Sequence, residues 1–359
     1  MNKTALQFEY YPVYFGQKDW LSSINWQAYA KVALISDSNV GPLYATKLMD
    51  SLPIDAHFIQ MPAGEFYKNR DTKQALEDQL LTQGFGRDTL IIALGGGVVL
   101  DLVGFLAATY CRGVPVVYVP TSVMAMVDAS MGGKTGINTP YGKNMLGVFS
   151  QPHLIWMQIA FLQSLPNDEF INGLAEVIKH AVILDIEYYQ WLNTHRDAIL
   201  QKDLDVLLDM IYQSVLIKQK IVAQDEKEAG MREILNFGHT VGHAIELCSD
   251  FKIAHGEAVA LGMLVEAYIS HLLGHLAYAQ VLSLQQILTA FQLPLNTQCL
   301  DDMDALKQAM RRDKKSKQGL AHLVMLKEIG QVHHQNMRFS FVLPIDVFEN
   351  AVQWVKAQC

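Results

Sequence analysis

Four side chains in three short motifs could hold a metal ion. Glu176 lies in GLAEVIKH, which starts at Gly173; His239 and His243 lie in NFGHTVGHAIE, from Asn236; His255 opens HGEAVALGM. Each falls at or near the polar face of a predicted helix. A catalytic zinc takes three nitrogen or oxygen ligands from protein and keeps one position open, so one carboxylate and two imidazoles are a sufficient inventory. His239 and His243 are four residues apart and share a helix face, which invites assigning both; the sequence leaves open which of them is the ligand. A satisfied core histidine is the ordinary explanation for any one of the three, but here it must be invoked three times. Upstream, the glycine turn GGGVVLD follows an apolar strand. A nucleotide loop and a metal site in one chain suggest redox chemistry on a hydroxyl.

The loop GGGVVLD follows the strand-like TLIIAL and opens a helix. In that context glycines let backbone amides approach a pyrophosphate at a helix N-terminus, although a tight turn without a ligand would explain three glycines almost as well. Asp37 and Asn39 stand just past the first clear strand, where a ribose-binding acid would sit. Glu65 and Lys68, in PAGEFYKN, stand at another strand end. Polar groups on three strand-end loops favour dinucleotide binding.

The segment PTSVMAMVDASMGGKTGINTPYGKNMLG carries Asp128, Lys134, Lys143 and Asn144 among glycine-rich turns. Such lysines usually face solvent, but two of them and an amide on one glycine-interrupted loop fit a phosphate-binding nest. Lys179, Lys218, Arg232 and Lys314 lie near the metal motifs in sequence or on helical faces. That many cations would suit a substrate with two anionic groups.

The elements that must position these groups change character midway. KVALIS, AHFIQM, TLIIALGG and VPVVYVP read as strands, with DTKQALEDQLLTQG and VLDLVGFLAATYC as helices between them, the pattern of a parallel sheet flanked by helices. From about Asn167 the patterns are long and helical. The chain therefore reads as an α/β nucleotide-binding domain, residues 1–165, and a mostly α-helical metal- and substrate-binding domain, residues 166–359. A tight hinge near residues 161–168, with the active site in the cleft, is the expected joint.

Charged residues make up 18% of the 359 and the net charge is -8, with no long run of like charges beyond RRDKKSK, so a nucleic-acid surface is not expected. Cys111, Cys248, Cys299 and Cys359 are scattered and form no zinc-knuckle spacing, which reads as thiols in a reducing compartment. The N-terminus lacks a signal-peptide pattern, and the longest apolar region is broken by three glycines and Asp101. A cytoplasmic protein with no membrane partner is the expectation.

In combination, PAGEFYK, GGGVVLD, YCRGV, AMVDASMGGKTGIN, YGKNMLG, GLAEVIKH, DEKEAGMREILNFGHTVGHAIE, HGEAV and RDKK resemble the 3-dehydroquinate synthase family of sugar-phosphate cyclases, from about Asp37 to Lys315. The resemblance implies a Rossmann-like NAD-binding domain and a helical domain. Glu176, His239 and His255 would hold a divalent metal, zinc or less commonly cobalt, while His243 faces the substrate. Asp128, Lys134, Asn144, Lys179, Lys218, Arg232, Asn236 and Lys314 would line the substrate pocket. The NAD site would comprise Asp37, Asn39, Glu65, Lys68, Gly96, Gly97, Val98, Asp101, Thr121, Ser122, Lys134, Lys143, Phe161, Ser164, Leu165 and Glu169. Arg112 would reach the phosphate of the neighbouring subunit's substrate in a homodimer.

Leu100 stands where the family commonly has glycine and is expected to alter the turn; Ser122 and Ser164 replace the usual threonines but keep a hydroxyl. The implied reaction converts 3-deoxy-D-arabino-heptulosonate 7-phosphate to 3-dehydroquinate and phosphate, by transient oxidation with NAD, elimination, re-reduction and aldol closure. A metal-dependent dehydrogenase of the glycerol dehydrogenase type shares the plan but would not need Lys134, Lys218, Arg232 and Lys314. A sister cyclase would not need a carboxylate site, for which Lys218, Arg232 and Asn236 are suited. A noncatalytic NAD- or metal-binding sensor would tolerate loss of the pocket residues, and all of them are present.

Overall fold

The apolar runs of the first half become strands of one sheet, and the amphipathic stretches between them become its connecting helices. The structure, a computed structural model, describes residues 4–16, 18–312 and 320–358. It divides into two compact units, Met1–Leu165 and Pro166–Cys359. The strands of the first are β1 (Ala5–Gln7), β2 (Pro12–Phe15), β3 (Lys31–Asp37), β4 (Ala56–Met61), β5 (Thr89–Gly95), β6 (Val116–Pro120), β7 (Lys134–Thr139), β8 (Gly142–Phe149) and β9 (Leu154–Met157). Its helices are α1 (Gly41–Met49), α2 (Arg70–Thr82) and α3 (Gly97–Thr109).

Seven strands form one sheet in the order β1-β2-β9-β6-β5-β3-β4, with β1 antiparallel and the rest parallel. Val32, Leu34, Leu90 and Ile92 pack on Trp20 and Trp156. The alternate residues Ala33, Ile35, Ile91 and Ala93 are equally buried, so the sheet is covered on both faces. That double burial is why these strands read as continuous apolar runs. The chain leaves β3 for β4 on one side and returns to β5 on the other. This reversal opens a crevice at the carboxyl ends of β3 and β5, where an open parallel sheet binds its ligand.

Two local expectations change. The region holding Lys134, Lys143 and Asn144 is not a loop but an antiparallel hairpin of β7 and β8. Its glycines serve strand approach: a Cβ on Gly147 would stand 1.9 Å from the Thr135 carbonyl oxygen, and one on Gly136 2.6 Å from that of Leu146. Leu100 lies within α3 rather than in the turn, 1% exposed in the core. Its N–H donates to the Gly96 carbonyl as an ordinary helical bond. Apolar burial is a sufficient reason for a leucine there.

The second unit contains α4 (Asn167–Leu184), α5 (Ile186–Leu200), α6 (Leu204–Gln224), α7 (His239–Cys248), α8 (His255–Leu272), α9 (Tyr278–Ala290), α10 (Met303–Arg312) and α11 (Ile345–Gln358). This unit is predominantly helical. The short pairs β10 (His322–Val324) with β13 (Ser340–Val342), and β11 (Leu326–Glu328) with β12 (Gln331–Val332), are additions. Helices α4 and α8 are buried nearly all round, as core helices must be.

Glycines bring α8 close to two neighbours. A Cβ on Gly262 would lie 1.9 Å from the Gly238 carbonyl oxygen before α7, and one on Gly256 1.9 Å from that of Asn172 in α4. Gly238, in the left-handed conformation, starts α7. Among the described residues no helix is long and apolar enough to cross a membrane.

Candidate active site

In the first unit, all the residues singled out for the nucleotide except Lys134 and Lys143 lie at or follow the carboxyl ends of five adjacent strands. Asp37 ends β3, and its Oδ1 accepts the N–H groups of Asn39 (2.9 Å) and Val40 (2.8 Å) at the entry to α1. Gly96, Gly97, Val98 and Asp101 follow β5, and Thr121 and Ser122 follow β6. Phe161, Ser164 and Leu165 follow β9; Phe161 lies against the ring of Tyr44 at 4.4 Å, and the Tyr44 and Ser164 hydroxyls share a hydrogen bond. Glu65 and Lys68 follow β4.

None of Gly95, Gly96 and Gly97 has a positive φ. A Cβ on Gly95 would meet the Val99 side chain at 2.6 Å, whereas the nearest atom to one on Gly96 is the Ser122 hydroxyl at 3.7 Å. Gly95 thus permits the tight strand-to-helix turn and Gly96 keeps the approach to α3 open. The first amides of α3 have no acceptor within the helix, and together with the helix dipole they favour an anion.

A polar network ties the β4 loop to the hairpin. Lys68, 4% exposed, places Nζ 2.5 Å from Asp101 Oδ2 and 2.6 Å from Asn144 Oδ1. Asn138 donates to Glu65 Oε1 at 2.7 Å and accepts the Asn144 N–H at 2.9 Å. Burial alone would lower the Lys68 pKa, but Asp101 and Glu65 outweigh it and hold the ammonium above the usual lysine range. Asn144 takes a φ of 52°, a left-handed position that asparagine tolerates. Lys134 is exposed at the start of β7, Lys143 half-buried on β8, and Asp128 on a π-type turn, Ala125–Ala129. Glu169 is exposed in the first turn of α4, in the other unit.

In the second unit three elements deliver the carboxylate and imidazoles. Glu176 sits mid-α4 at 0% exposure, His239 is the first residue of α7, and His255 is the first of α8. Glu176 Oε1 lies 3.4 Å from His239 Nε2 and 3.6 Å from His255 Nε2. Ligands at zinc distances on a tetrahedron stand about 3.3–3.6 Å apart, so these atoms fit the edges of a divalent-metal site. The other Glu176 oxygen pairs with Lys179. His239 Nδ1 bonds the Phe237 carbonyl at 3.2 Å, and His255 Nδ1 bonds Glu246 Oε2 at 3.2 Å. Burial opposes charge on His255, but Glu176 and Glu246 overcome it and raise its pKa to about 9. Such a site attracts a cation. His243 falls in a second possible ligand set, with Glu246 and His255.

Buried cations accompany this cluster in the same unit. Lys179, Lys218 and Arg232 are 1%, 4% and 2% exposed. Asp225 builds the turn before Arg232: its carboxylate accepts the N–H groups of Ala229 (2.9 Å), Gly230 (2.7 Å) and Arg232 (3.0 Å). The Arg232 guanidinium donates to the Glu226 carbonyl, and Asn236 donates to Glu228 at 2.8 Å. Lys314 lies outside the described residues. Arg112 is exposed in the first unit with a φ of 71°.

Sequence reasoning passed over residues that hold these groups in place. Asn172, one turn before Glu176, accepts the Gly256 N–H at 2.5 Å at the start of α8. Glu266, at 0% exposure, accepts the N–H groups of Gly238 (2.9 Å) and Val241 (3.4 Å) at the start of α7. A lone carboxylate inside the apolar run AVALGMLVEAYIS was the available signal for it.

Two solved structures share this architecture. A 2-deoxy-scyllo-inosose synthase, solved with carbaglucose-6-phosphate, NAD+ and Co2+, matches with a TM-score of 0.88 over 98% of this chain and 100% of its own, at 24% identity. The 2-epi-5-epi-valiolone synthase of Streptomyces hygroscopicus, with NAD+ and Zn2+ bound, matches with a TM-score of 0.87 over 100% of both chains, at 25% identity. The fold is that of the sugar-phosphate cyclases. Residues 58–172 match the 3-dehydroquinate synthase N-terminal family, and residues 173–316 the 3-dehydroquinate synthase C-terminal family. The 3-dehydroquinate synthase of Syntrophotalea carbinolica is 45% identical over 304 residues, 84% of either chain. This chain belongs to the 3-dehydroquinate synthase family.

Proposed function

We propose that this enzyme converts 3-deoxy-D-arabino-heptulosonate 7-phosphate to 3-dehydroquinate and phosphate, using NAD and one divalent metal, with zinc as the metal. The observation that carries the reading is the convergence of Glu176 Oε1 with the Nε2 atoms of His239 and His255, at 3.4 and 3.6 Å, in a chain of this family. When bound, NAD would supply a reversible hydride acceptor and the metal a Lewis acid for neighbouring hydroxyls.

The chain's own residues would do the rest. Gly96, Gly97 and Val98 offer amides to the pyrophosphate, and Asp37 with Asn39 offers polar groups to a ribose. Glu65, Lys68, Asp101, Thr121, Ser122, Lys143, Phe161, Ser164, Leu165 and Glu169 complete the nucleotide contacts in this reading. Lys179 balances the charge of Glu176 from the side opposite the imidazoles. Arg232, with Lys218 and Asn236, would hold the substrate carboxylate; a planar guanidinium matches that group with paired hydrogen bonds. Asp128, Lys134, Asn144, His243 and Lys314 would orient the hydroxyls and phosphate, so that elimination delivers its proton to a fixed acceptor rather than to water. Arg112 would serve the phosphate bound to a second copy in a homodimer.

Three buried cations, Lys179, Lys218 and Arg232, in the unit that carries the ligand set suit an anionic substrate and favour this reading over a dehydrogenase acting on a small neutral alcohol. The test is turnover of the heptulosonate phosphate by purified, zinc-loaded protein with trace NAD, followed by detection of dehydroquinate. A cytoplasmic location belongs to the same proposal.

A further inference from the structure

We propose that Glu246 is a positioning residue for the metal centre, acting through His255; the inference rests on the reading of Glu176, His239 and His255 as ligands. Glu246 is 2% exposed, and a carboxylate so buried is costly unless its oxygens are engaged. Its Oε2 lies 3.2 Å from His255 Nδ1. A carboxylate in contact with an imidazole nitrogen can only accept, so Nδ1 carries the hydrogen. The lone pair of the neutral ring is then on Nε2, the nitrogen 3.6 Å from Glu176 Oε1.

His239 is oriented the same way by a different acceptor. Its Nδ1 meets the Phe237 carbonyl at 3.2 Å, and its Nε2 lies 3.4 Å from the same Glu176 oxygen. One imidazole is thus held by backbone and the other by a buried carboxylate, and both present Nε2 to one point. Glu246 stands seven residues after His239 on α7, so its bond to the first residue of α8 also fixes the two imidazoles relative to each other. Acceptors behind metal-bound histidines set tautomer, ring orientation and basicity.

The test uses the full-length protein loaded with Co(II), whose visible absorption reports ligand geometry and whose affinity is measured by chelator competition. Glu246→Gln keeps size and one acceptor oxygen but loses the charge, and should weaken Co(II) binding roughly five- to tenfold. Glu246→Ala should weaken it about ten- to a hundredfold and shift the absorption bands. In a His255→Ala background, Glu246→Gln should cause no further loss, because its route of action is gone.

Wild-type affinity and bands in Glu246→Gln overturn the proposal, and so does an undiminished effect in the His255→Ala background. Two Co(II) ions per wild-type chain, one of them lost in Glu246→Gln, would instead make Glu246 a ligand alongside His243. Should Glu246→Ala fail to fold, Glu246→Gln carries the test alone. Failure of the underlying ligand reading looks different: His239→Ala and His255→Ala would then keep full Co(II).

Discussion

The carbonyl oxygen of Gly238 occupies the position that a side chain on Gly262 would need, 1.9 Å from its Cβ. That contact sets the separation of α7 and α8, and therefore of His239 from His255, each the first residue of its helix. The obstacle is backbone, so no rotamer change relieves it. Gly262→Ala should destabilise the protein by about 1–3 kcal/mol and lower its metal content. Urea unfolding of the metal-free protein and elemental analysis check both parts; an unchanged midpoint would mean that the helices are free to part.

Arg232 offers a functional rather than a structural test. A charge-assisted contact to a substrate carboxylate contributes on the order of 1.5–3 kcal/mol, so Arg232→Ala should reduce kcat/KM roughly ten- to a hundredfold or more. Arg232→Lys keeps the charge without the fork and should recover only part of the loss. Steady-state kinetics with the carboxylated substrate decide it, and an unchanged kcat/KM would remove Arg232 from carboxylate binding.

Asp225 makes the turn before Arg232 sensitive to pH. Burial opposes its charge, but the N–H groups of Ala229, Arg232 and Gly230 and the Arg232 guanidinium prevail, holding its pKa below the ordinary 3.8. A depressed folded-state pKa gives stability that is present above the unfolded value and is lost as pH falls through the folded one. Wild type should therefore exceed Asp225→Asn in stability by a steady margin above about pH 5, and the margin should shrink below pH 3.8. Urea unfolding of the two proteins across this range would show it; a constant margin down to the acid limit would contradict it.

The parts legible in the sequence were those with strong local signals. β5 could be read because burial on both faces leaves an unbroken apolar run, and α4, α6 and α8 because their patterns are long. The β7–β8 hairpin was missed because Gly132, Gly133, Gly136, Gly142 and Gly147 read as loop punctuation, whereas Gly136 and Gly147 serve close strand approach. Glu176, His239 and His255 stood out by residue type. Glu246, Glu266 and Asn172 did not, because their partners lie on other segments and only tertiary packing brings them together. Which of His239 and His243 stands beside Glu176 was equally non-local: Glu176 is on α4, and its carboxylate falls in one set with His239 and His255, whereas His243 falls in another with Glu246 and His255.

Arg112 follows α3, whose 13 residues carry the chain about 20 Å from the glycine turn. It stands exposed, on a turn where Cys111 and Arg112 both have positive φ. If it serves a partner subunit's substrate, mixing Glu176→Ala and Arg112→Ala chains should restore roughly a quarter of wild-type activity once subunits redistribute at random. Activity no higher than that of the separate variants, despite proven exchange, would show that Arg112 does not act across an interface.

The proposed reaction recycles its cofactor within each turnover. The most direct measurement incubates zinc-loaded protein with the heptulosonate phosphate and NAD far below substrate, following phosphate release and absorbance of reduced cofactor together. Many equivalents of phosphate per NAD, with no lasting NADH, are expected. Phosphate release limited to the NAD supplied, with NADH accumulating in step, would contradict it and make the enzyme a dehydrogenase.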